Sequence, residues 1–435
     1  MLEIIKYPSK EAWKELIERP RLDTAALFSS TQTVLNEIRL HGDAAVREYG
    51  QKFDKVLLNA FEVSDDEWAK ADALVSDELK NALSIAKKNV ETFHASQKAV
   101  APKWIETMPG VRCMQKAVPI ESVGLYVPGG SAPLFSTVLM LAVPAVIAGC
   151  EKIVLCTPPN KEGKIHPAIL FAAKLAGLKR EQLFKIGGIQ AIGAMAYGTE
   201  SVPQVYKIFG PGNQYVTAAK QLIALEGTAI DVPAGPSEAA LLADGSANPE
   251  FIAADFLSQA EHGADSQSIL ATDSERLATA VIAAIERQVA SLPREEVTRK
   301  ALLNSKIVLF KTMREAVDFI NFYAPEHLVI QCENEAEIAD SIVNSGSVFI
   351  GRYTPVAMGD YASGTNHTLP TVGFARAYSG VNLDSFVKKI TFQEVSSEGM
   401  LNLGPTVAVM AENEGLDAHK RSVTLRLREI KDKYK

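Results

Sequence analysis

Apolar positions in the first hundred residues recur at helical spacing. In "NALSIAKKNVETF", Ala82, Ile85, Ala86, Val90 and Phe93 fall on one stripe, which predicts an amphipathic helix. Upstream, "SDDEWAKADALV" opens with Ser64 and Glu67 at the spacing of a capping box. His41 and His94 lie in this helical region and read as helix-surface residues.

From about residue 120 the pattern changes to short continuous apolar runs, each closed by glycine or proline and followed by a helical stretch. "SVGLYV" (122–127) ends in Pro128-Gly129-Gly130, and "KIVLCT" (152–157) ends in Pro158-Pro159. "LFKIGG" (183–188), "VYKIFGPGN" (205–213) and "AIDVPAGPS" (229–237) follow the same plan, with a helix beginning near Gln190. Strand and helix alternating in this way predict βαβ units and a mostly parallel sheet. Ligands bind at the carboxyl ends of such strands. Glycines there let main chain approach a phosphate, and the next helix N-terminus favours an anion. The GxGxxG fingerprint is absent: "GGIQAIG" (187–193) has the wrong spacing, and "GPGN" (210–213) alone is weak. Pattern alone therefore leaves nucleotide binding and plain glycine-rich turns both open.

After residue 238 a second α/β stretch follows. It has a helix over 249–262, a strand "SILAT" (268–272) and a long helix over 274–291. "KIVLF" (306–310), "LVIQ" (328–331) and "SVFIG" (347–351) read as further strands. Residues 352–371 show no periodicity and read as a long functional loop. The tail from about 382 reads as a separate, mostly helical unit with a basic end. The most apolar stretch, "VLMLAVPAVIAG" (138–149), is too short to span a bilayer and contains Pro144, so it reads as a buried helix.

Composition narrows the function classes. A length of 435 residues suggests two or three domains. A net charge of -7 gives no basic footprint for nucleic acid or an anionic membrane. The first twenty residues carry no apolar export signal. Cys113, Cys150, Cys156 and Cys332 form no CxxC pair, which fits a reducing cytoplasm and leaves any metal to nitrogen and oxygen ligands.

Two constellations carry chemistry. Gln259 and His262, in "FLSQAEHGADSQ", stand three apart and share one helical face. By themselves they read first as a hydrogen-bonding pair at a helix end. Asp360 and His367 in "GDYASGTNH", and Glu414 and His419 near "LDAHK", extend the set toward a divalent nitrogen and oxygen site. That ligand chemistry suits a catalytic or substrate-binding zinc. His166, before a helix and without such company, reads as structural. The second constellation is "APEHLVI", where Glu326 and His327 stand side by side after Pro325. In the turn before a strand both side chains can enter one cleft and act as a pair of bases. The alternative is a surface glutamate beside a half-buried histidine.

Taken together these motifs closely resemble the histidinol dehydrogenase family. The matching stretches are "VGLYVPGGSAPLFSTVLML", "KIFGPGNQYV", "DVPAGPSE", "LSQAEHG", "YAPEHL", "SGSVFIG", "GDYASGTNHTLPT" and "AHKRSVTLR", covering nearly all but the first twenty or so residues. The resemblance implies oxidation of L-histidinol through L-histidinaldehyde to L-histidine with two NAD, at the end of histidine biosynthesis. It implies one zinc per subunit on Gln259, His262, Asp360 and His419, and a catalytic pair Glu326 and His327. Substrate contacts fall on Ser237, Gln259, His262, His327, Asp360, His367, Glu414 and His419. NAD contacts fall on Tyr126, Gln190 and Asn213. The implied fold is α/β, with two incomplete Rossmann-like domains of parallel sheets flanked by helices, and small N- and C-terminal helical units. Laid on this sequence, 1–25 is an N-terminal helical segment and 119–237 the NAD-binding domain. Residues 26–118 plus 238–381 carry the metal ligands and the catalytic pair, and 382–435 is a tail that completes the partner's site in an intertwined homodimer. No nucleic acid or membrane is expected as a partner. A zinc hydrolase using Glu326 would explain the metal but leave the βαβ loops idle. A non-catalytic metal or metabolite binder would not need two adjacent bases.

Overall fold

Two parallel sheets of the same strand order form the body of the chain. Numbered along the sequence, the strands are β1 (Ile4–Lys6), β2 (Ile105–Met108), β3 (Val111–Pro119), β4 (Ser122–Tyr126), β5 (Lys152–Thr157), β6 (Leu183–Lys185) and β7 (Lys207–Phe209). They continue with β8 (Ala229–Ile230), β9 (Glu238–Ala243), β10 (Gln267–Thr272), β11 (Lys306–Leu309), β12 (His327–Gln331), β13 (Ser347–Ile350) and β14 (Val387–Val395). The structure is a computed structural model and describes residues 2–20, 24–129, 133–232 and 235–433. Gly130 of the first predicted turn, and Pro233 and Ala234 of "AIDVPAGPS", lie outside the described residues.

The five-stranded sheet runs β6-β5-β4-β7-β8 and is parallel throughout. Counting from β4, that is the 3-2-1-4-5 order of a Rossmann fold lacking its last strand. The six-stranded sheet, β1-β11-β10-β9-β12-β13, repeats this order from β9 and adds β1 at its edge, again all parallel. The expected pair of incomplete Rossmann-like halves is present. Buried on both faces, their strands read as apolar runs rather than alternating ones.

Each sheet has a core on either face. On one side of the five-stranded sheet, Val123 and Leu125 pack with Val138, Leu141 and Val143 and with Leu83, Ala86 and Val90. On the other, Tyr126, Val154 and Phe184 pack with Val34, Leu35, Ile38 and Ile192. The first of these cores contains the helix Phe135–Ala148, in which every residue from Ser136 to Ala145 is buried. Residues 138–145 are thus core, as their composition suggested, whereas Val146 and Gly149 at the helix end are exposed; no described helix is long and apolar enough to cross a membrane.

Several expectations need correcting. The helices Thr24–Phe53 and Asp77–Ala95 contribute to the two cores of the five-stranded sheet, and the second also reaches the segment after 238, where Asn89 donates to the Ala362 carbonyl at 2.9 Å. In Asp77–Ala95 the buried stripe is Leu83, Ala86, Val90 and His94, whereas Ile85 and Phe93 are exposed. His94 is therefore a core residue, its Nδ1 bonded to the Val90 carbonyl at 2.8 Å. The N-terminal segment is not purely helical, because β1 joins β11, and Trp13 seats edge-on against Phe310 and Phe319. Residues 352–371 are not all loop, since Val356–Tyr361 is a short helix. The Ser64 and Glu67 capping box is present, and His166 caps the helix Pro167–Leu175 by accepting from the Ala168 N–H.

The chain divides into two units, the body Met1–Gln97 with Ile120–Phe386, and a second unit Lys98–Pro119 with Val387–Lys435. The second unit is an antiparallel sheet β14-β3-β2 followed by the helices Ser397–Asn413 and Asp417–Lys433. The tail expected to be mostly helical thus begins with a nine-residue strand, β14.

Candidate active site

The predicted catalytic pair sits at the amino edge of the six-stranded sheet, where β9 and β12 lie side by side in register. The helix Met313–Tyr323 ends in Ala324, whose φ of 53° reverses the chain. A non-glycine residue held there costs roughly 1–2 kcal/mol. Pro325 follows, then Glu326 in the turn, then His327 as the first residue of β12. Both side chains are buried, with exposures of 7% and 4%.

One residue holds them both. The main-chain N–H of Glu238 donates to Glu326 Oε2 at 2.9 Å, and the Glu238 carbonyl accepts from His327 Nδ1 at 3.1 Å. Because a carbonyl only accepts, Nδ1 carries the hydrogen, and Nε2 is the basic nitrogen of the neutral ring. That Nε2 is buried without a hydrogen-bond partner and lies 3.5 Å from Asp360 Oδ1. Burial works against a charged imidazole, yet Glu326 and then Asp360 outweigh it and hold the His327 pKa well above its ordinary value.

Beside the pair stands the acidic and imidazole group of the predicted metal set. Burial resists ionisation of Asp360, but the neighbouring His327, then His367 and His262, bring its pKa below the usual carboxylate value. His367 Nδ1 bonds the Asp360 carbonyl at 2.8 Å, and its Nε2 meets Thr137 Oγ1 at 3.2 Å, so this ring bridges the two Rossmann-like halves. Burial lowers the His367 pKa. The helix Pro249–Ala260 carries Gln259, 1% exposed, and His262 follows its end, exposed. Ser237 precedes β9, half-buried. Glu414 and His419 belong to the second unit and are exposed.

The predicted cofactor residues lie at the carboxyl edge of the five-stranded sheet, around the switch point between β4 and β7. Gly210, at φ 127°, touches the β4 end so closely that a Cβ would sit 2.1 Å from the Tyr126 carbonyl oxygen. Asp231 accepts from the Gly210 N–H at 2.8 Å and is paired with the buried ammonium of Lys220. Asn213 caps the next helix by accepting from the Tyr215 and Val216 N–H groups, and is itself exposed. Tyr126 and Gln190 are buried. The Tyr126 hydroxyl accepts from the Gly188 N–H at 3.0 Å, and the Gln190 Oε1 has no partner.

Comparison with known proteins decides the family. The sequence profile described as histidinol dehydrogenase matches residues 17–427. The chain belongs to the histidinol dehydrogenase family. It is 62% identical to the histidinol dehydrogenase of Bacteroides thetaiotaomicron, covering 99% of this chain and 100% of that one. It is 51% identical to the Escherichia coli K12 histidinol dehydrogenase, covering 97% and 96%. A crystal structure of histidinol dehydrogenase from Elizabethkingia anophelis superposes with a TM-score of 0.95 at 52% identity, covering 99% of each chain.

Among the described residues no group of three or more histidine, cysteine, aspartate or glutamate side chains is placed to hold a metal. The donor set expected from the sequence is compatible with this. In the body it offers an amide and only two such side chains, His262 and Asp360, and His419 belongs to the second unit. Gln259 adds an observation of its own. Its Nε2 is buried without a partner. Turning the amide over would present its oxygen there, which is the atom a hard cation takes. The residues fit the ion. What the motifs did not reveal is the support beneath the pair, Glu238 and its partner Arg19. Glu238 stood inside "DVPAGPSE", but nothing in a sequence announces a role played by main-chain atoms.

Proposed function

We propose that this member of the family oxidises L-histidinol to L-histidinaldehyde and then to L-histidine, passing one hydride to each of two NAD. The observation that carries the reading is the fixed tautomer of His327, whose Nε2 is left buried without a hydrogen-bond partner, 3.5 Å from Asp360 Oδ1. In the first oxidation His327 Nε2 takes the alcohol proton as the carbon gives up hydride. In the second, Glu326 takes a proton from water as its oxygen attacks the aldehyde, giving the gem-diol. His327 then takes a gem-diol proton as the second hydride leaves, and the carboxylate forms. Asp360, His367 and the buried wall around them keep the aldehyde from bulk water.

Gln259, His262 and Asp360, with His419, would hold one zinc ion. When bound, the ion would fix the imidazole and amino nitrogens of the substrate and draw on the Asp360 carboxylate that otherwise favours a proton on His327. Ser237, His367 and Glu414 complete the proposed substrate contacts. Tyr126, Gln190 and Asn213 form the proposed NAD side, at the carboxyl edge where the Rossmann order puts a dinucleotide. We place His419 and Glu414 as contributions from the partner subunit in a homodimer. The four cysteines are free thiols, which supports a reducing cytoplasm as the compartment.

The test offers histidinol and NAD and follows NADH in the near ultraviolet. Glu326→Gln should slow oxidation of supplied aldehyde far more than that of alcohol, and His327→Asn should slow both. Normal aldehyde oxidation by Glu326→Gln would overturn the assignment of the water base.

A further inference from the structure

The main chain of Glu238 holds both members of the pair, and its side chain is held in turn. Arg19 donates through Nε and Nη2 to the two Glu238 carboxylate oxygens, the second at 3.1 Å. The same Nη2 donates to the Tyr323 carbonyl at 2.9 Å. Its guanidinium lies 4.2 Å from the centre of the Tyr323 ring. Tyr323 closes its helix, so its carbonyl is one of the orphan acceptors of a helix end. The Tyr323 hydroxyl donates to Gln267 at 2.9 Å and stands 3.4 Å from the Glu238 carboxylate. The Glu238 side chain is 2% exposed and that of Arg19 13%, so the pair is largely shielded from solvent.

The two ends that Arg19 grips are the two ends that matter for geometry. Tyr323 and Ala324 aim the turn that carries Glu326. Glu238 supplies the N–H that fixes Glu326 and the carbonyl that fixes the His327 tautomer. A planar fork can serve two acceptors at once, which a lysine ammonium on a flexible stem does poorly. Without the guanidinium, a buried carboxylate would stand unpaired beside the one that must act as base.

We propose that Arg19 is a positioning residue for the catalytic pair, clamping the Tyr323 turn to Glu238 so that Glu326 and His327 meet the substrate in register. The proposal rests on the reading of Glu326 and His327 as bases. Arg19 touches neither the predicted cofactor residues nor the predicted metal ligands, so its loss should fall on turnover and not on binding.

The experiment compares Arg19→Met, Arg19→Lys and Glu238→Gln with the parent holoenzyme, using histidinol and the aldehyde separately. Metal content and circular dichroism are matched first. Arg19→Met should lower kcat by about tenfold or more, most on the aldehyde, with each KM changed by less than about twofold. Arg19→Lys should recover part of the loss. Glu238→Gln keeps the main-chain bonds and loses one arm of the clamp, so it should show the same split more weakly, and it stands in if Arg19→Met does not fold. Glu326→Gln run alongside separates the two ideas: its failure to favour alcohol over aldehyde would sink the base assignment. If that variant behaves as expected while Arg19→Met, or Glu238→Gln in its place, turns over both substrates at the parent kcat, the clamp is wrong. A rise in KM with kcat unchanged would overturn it equally.

Discussion

Gln190 Nε2 donates to Asp54 Oδ2 at 2.9 Å, and this bond fixes which end of the amide is left over. The Oε1 is buried and unpartnered. Asp54 follows the helix Thr24–Phe53, far in sequence from the glycine-rich loops it serves. Burial raises its pKa, and the Gln190 bond opposes that rise. Asp54→Ala should free the amide to turn and raise the KM for NAD by roughly fivefold, the worth of about one hydrogen bond. The kcat should hardly change. Steady-state kinetics at saturating histidinol reads this directly, and an unchanged KM would exclude the orienting role.

Asp255 gives a pH signature in stability. It is 5% exposed on the helix that carries Gln259, and burial pushes its pKa up from 3.8 to about 7. The folded protein therefore keeps a proton that the unfolded chain releases above about pH 4. Stability present at low pH is lost as pH rises through that window, by up to roughly 4 kcal/mol once pH exceeds 7. Asp255→Asn should be more stable than the parent at pH 8, and the gain should vanish near pH 4. Thermal unfolding at the two pH values tests the sign.

The buried pair of Lys220 and Asp231 anchors the Gly210 turn. Lys220→Met strands a buried carboxylate and should cost roughly 3–5 kcal/mol in urea unfolding. Adding Asp231→Asn removes the stranded charge and should return part of that loss. A double variant less stable than Lys220→Met would show that the Gly210 hydrogen bonds matter more than the charge.

A site shared between subunits can be tested by complementation. Asp360→Ala and His419→Ala, each inactive alone, are unfolded and refolded together in equal amounts. Random assortment makes about half the dimers mixed, and one of the two sites in each is then intact, so roughly a quarter of all sites should work. Absence of recovery, with mixed dimers verified by differential tags, would mean that each chain builds its own site.

Sequence pattern located most strands of both sheets because buried parallel strands read as short continuous apolar runs, closed by glycine or proline in the five-stranded sheet. It missed β9, the strand at the centre of the six-stranded sheet. "EAALLA" is made of good helix formers, and only burial between β10 and β12 makes it a strand. β14 was missed for a different reason, since its partner β3 lies some hundreds of residues upstream. The adjacency of Glu326 and His327 after Pro325 was legible, and the structure shows both side chains buried. Arg19 was not, because it falls among the residues outside the matching motifs and meets Glu238 only through the fold.

The parallel pairing of β1 with β11 has a consequence for solubility. Without Ile4–Lys6, the row of amide and carbonyl groups along Lys306–Leu309 would face solvent as an open, apolar sheet margin. Such margins recruit strands from other molecules. A version of the chain started after Pro20 should therefore self-associate as well as lose turnover. The opening residues serve as a sealing strip for one half of the protein.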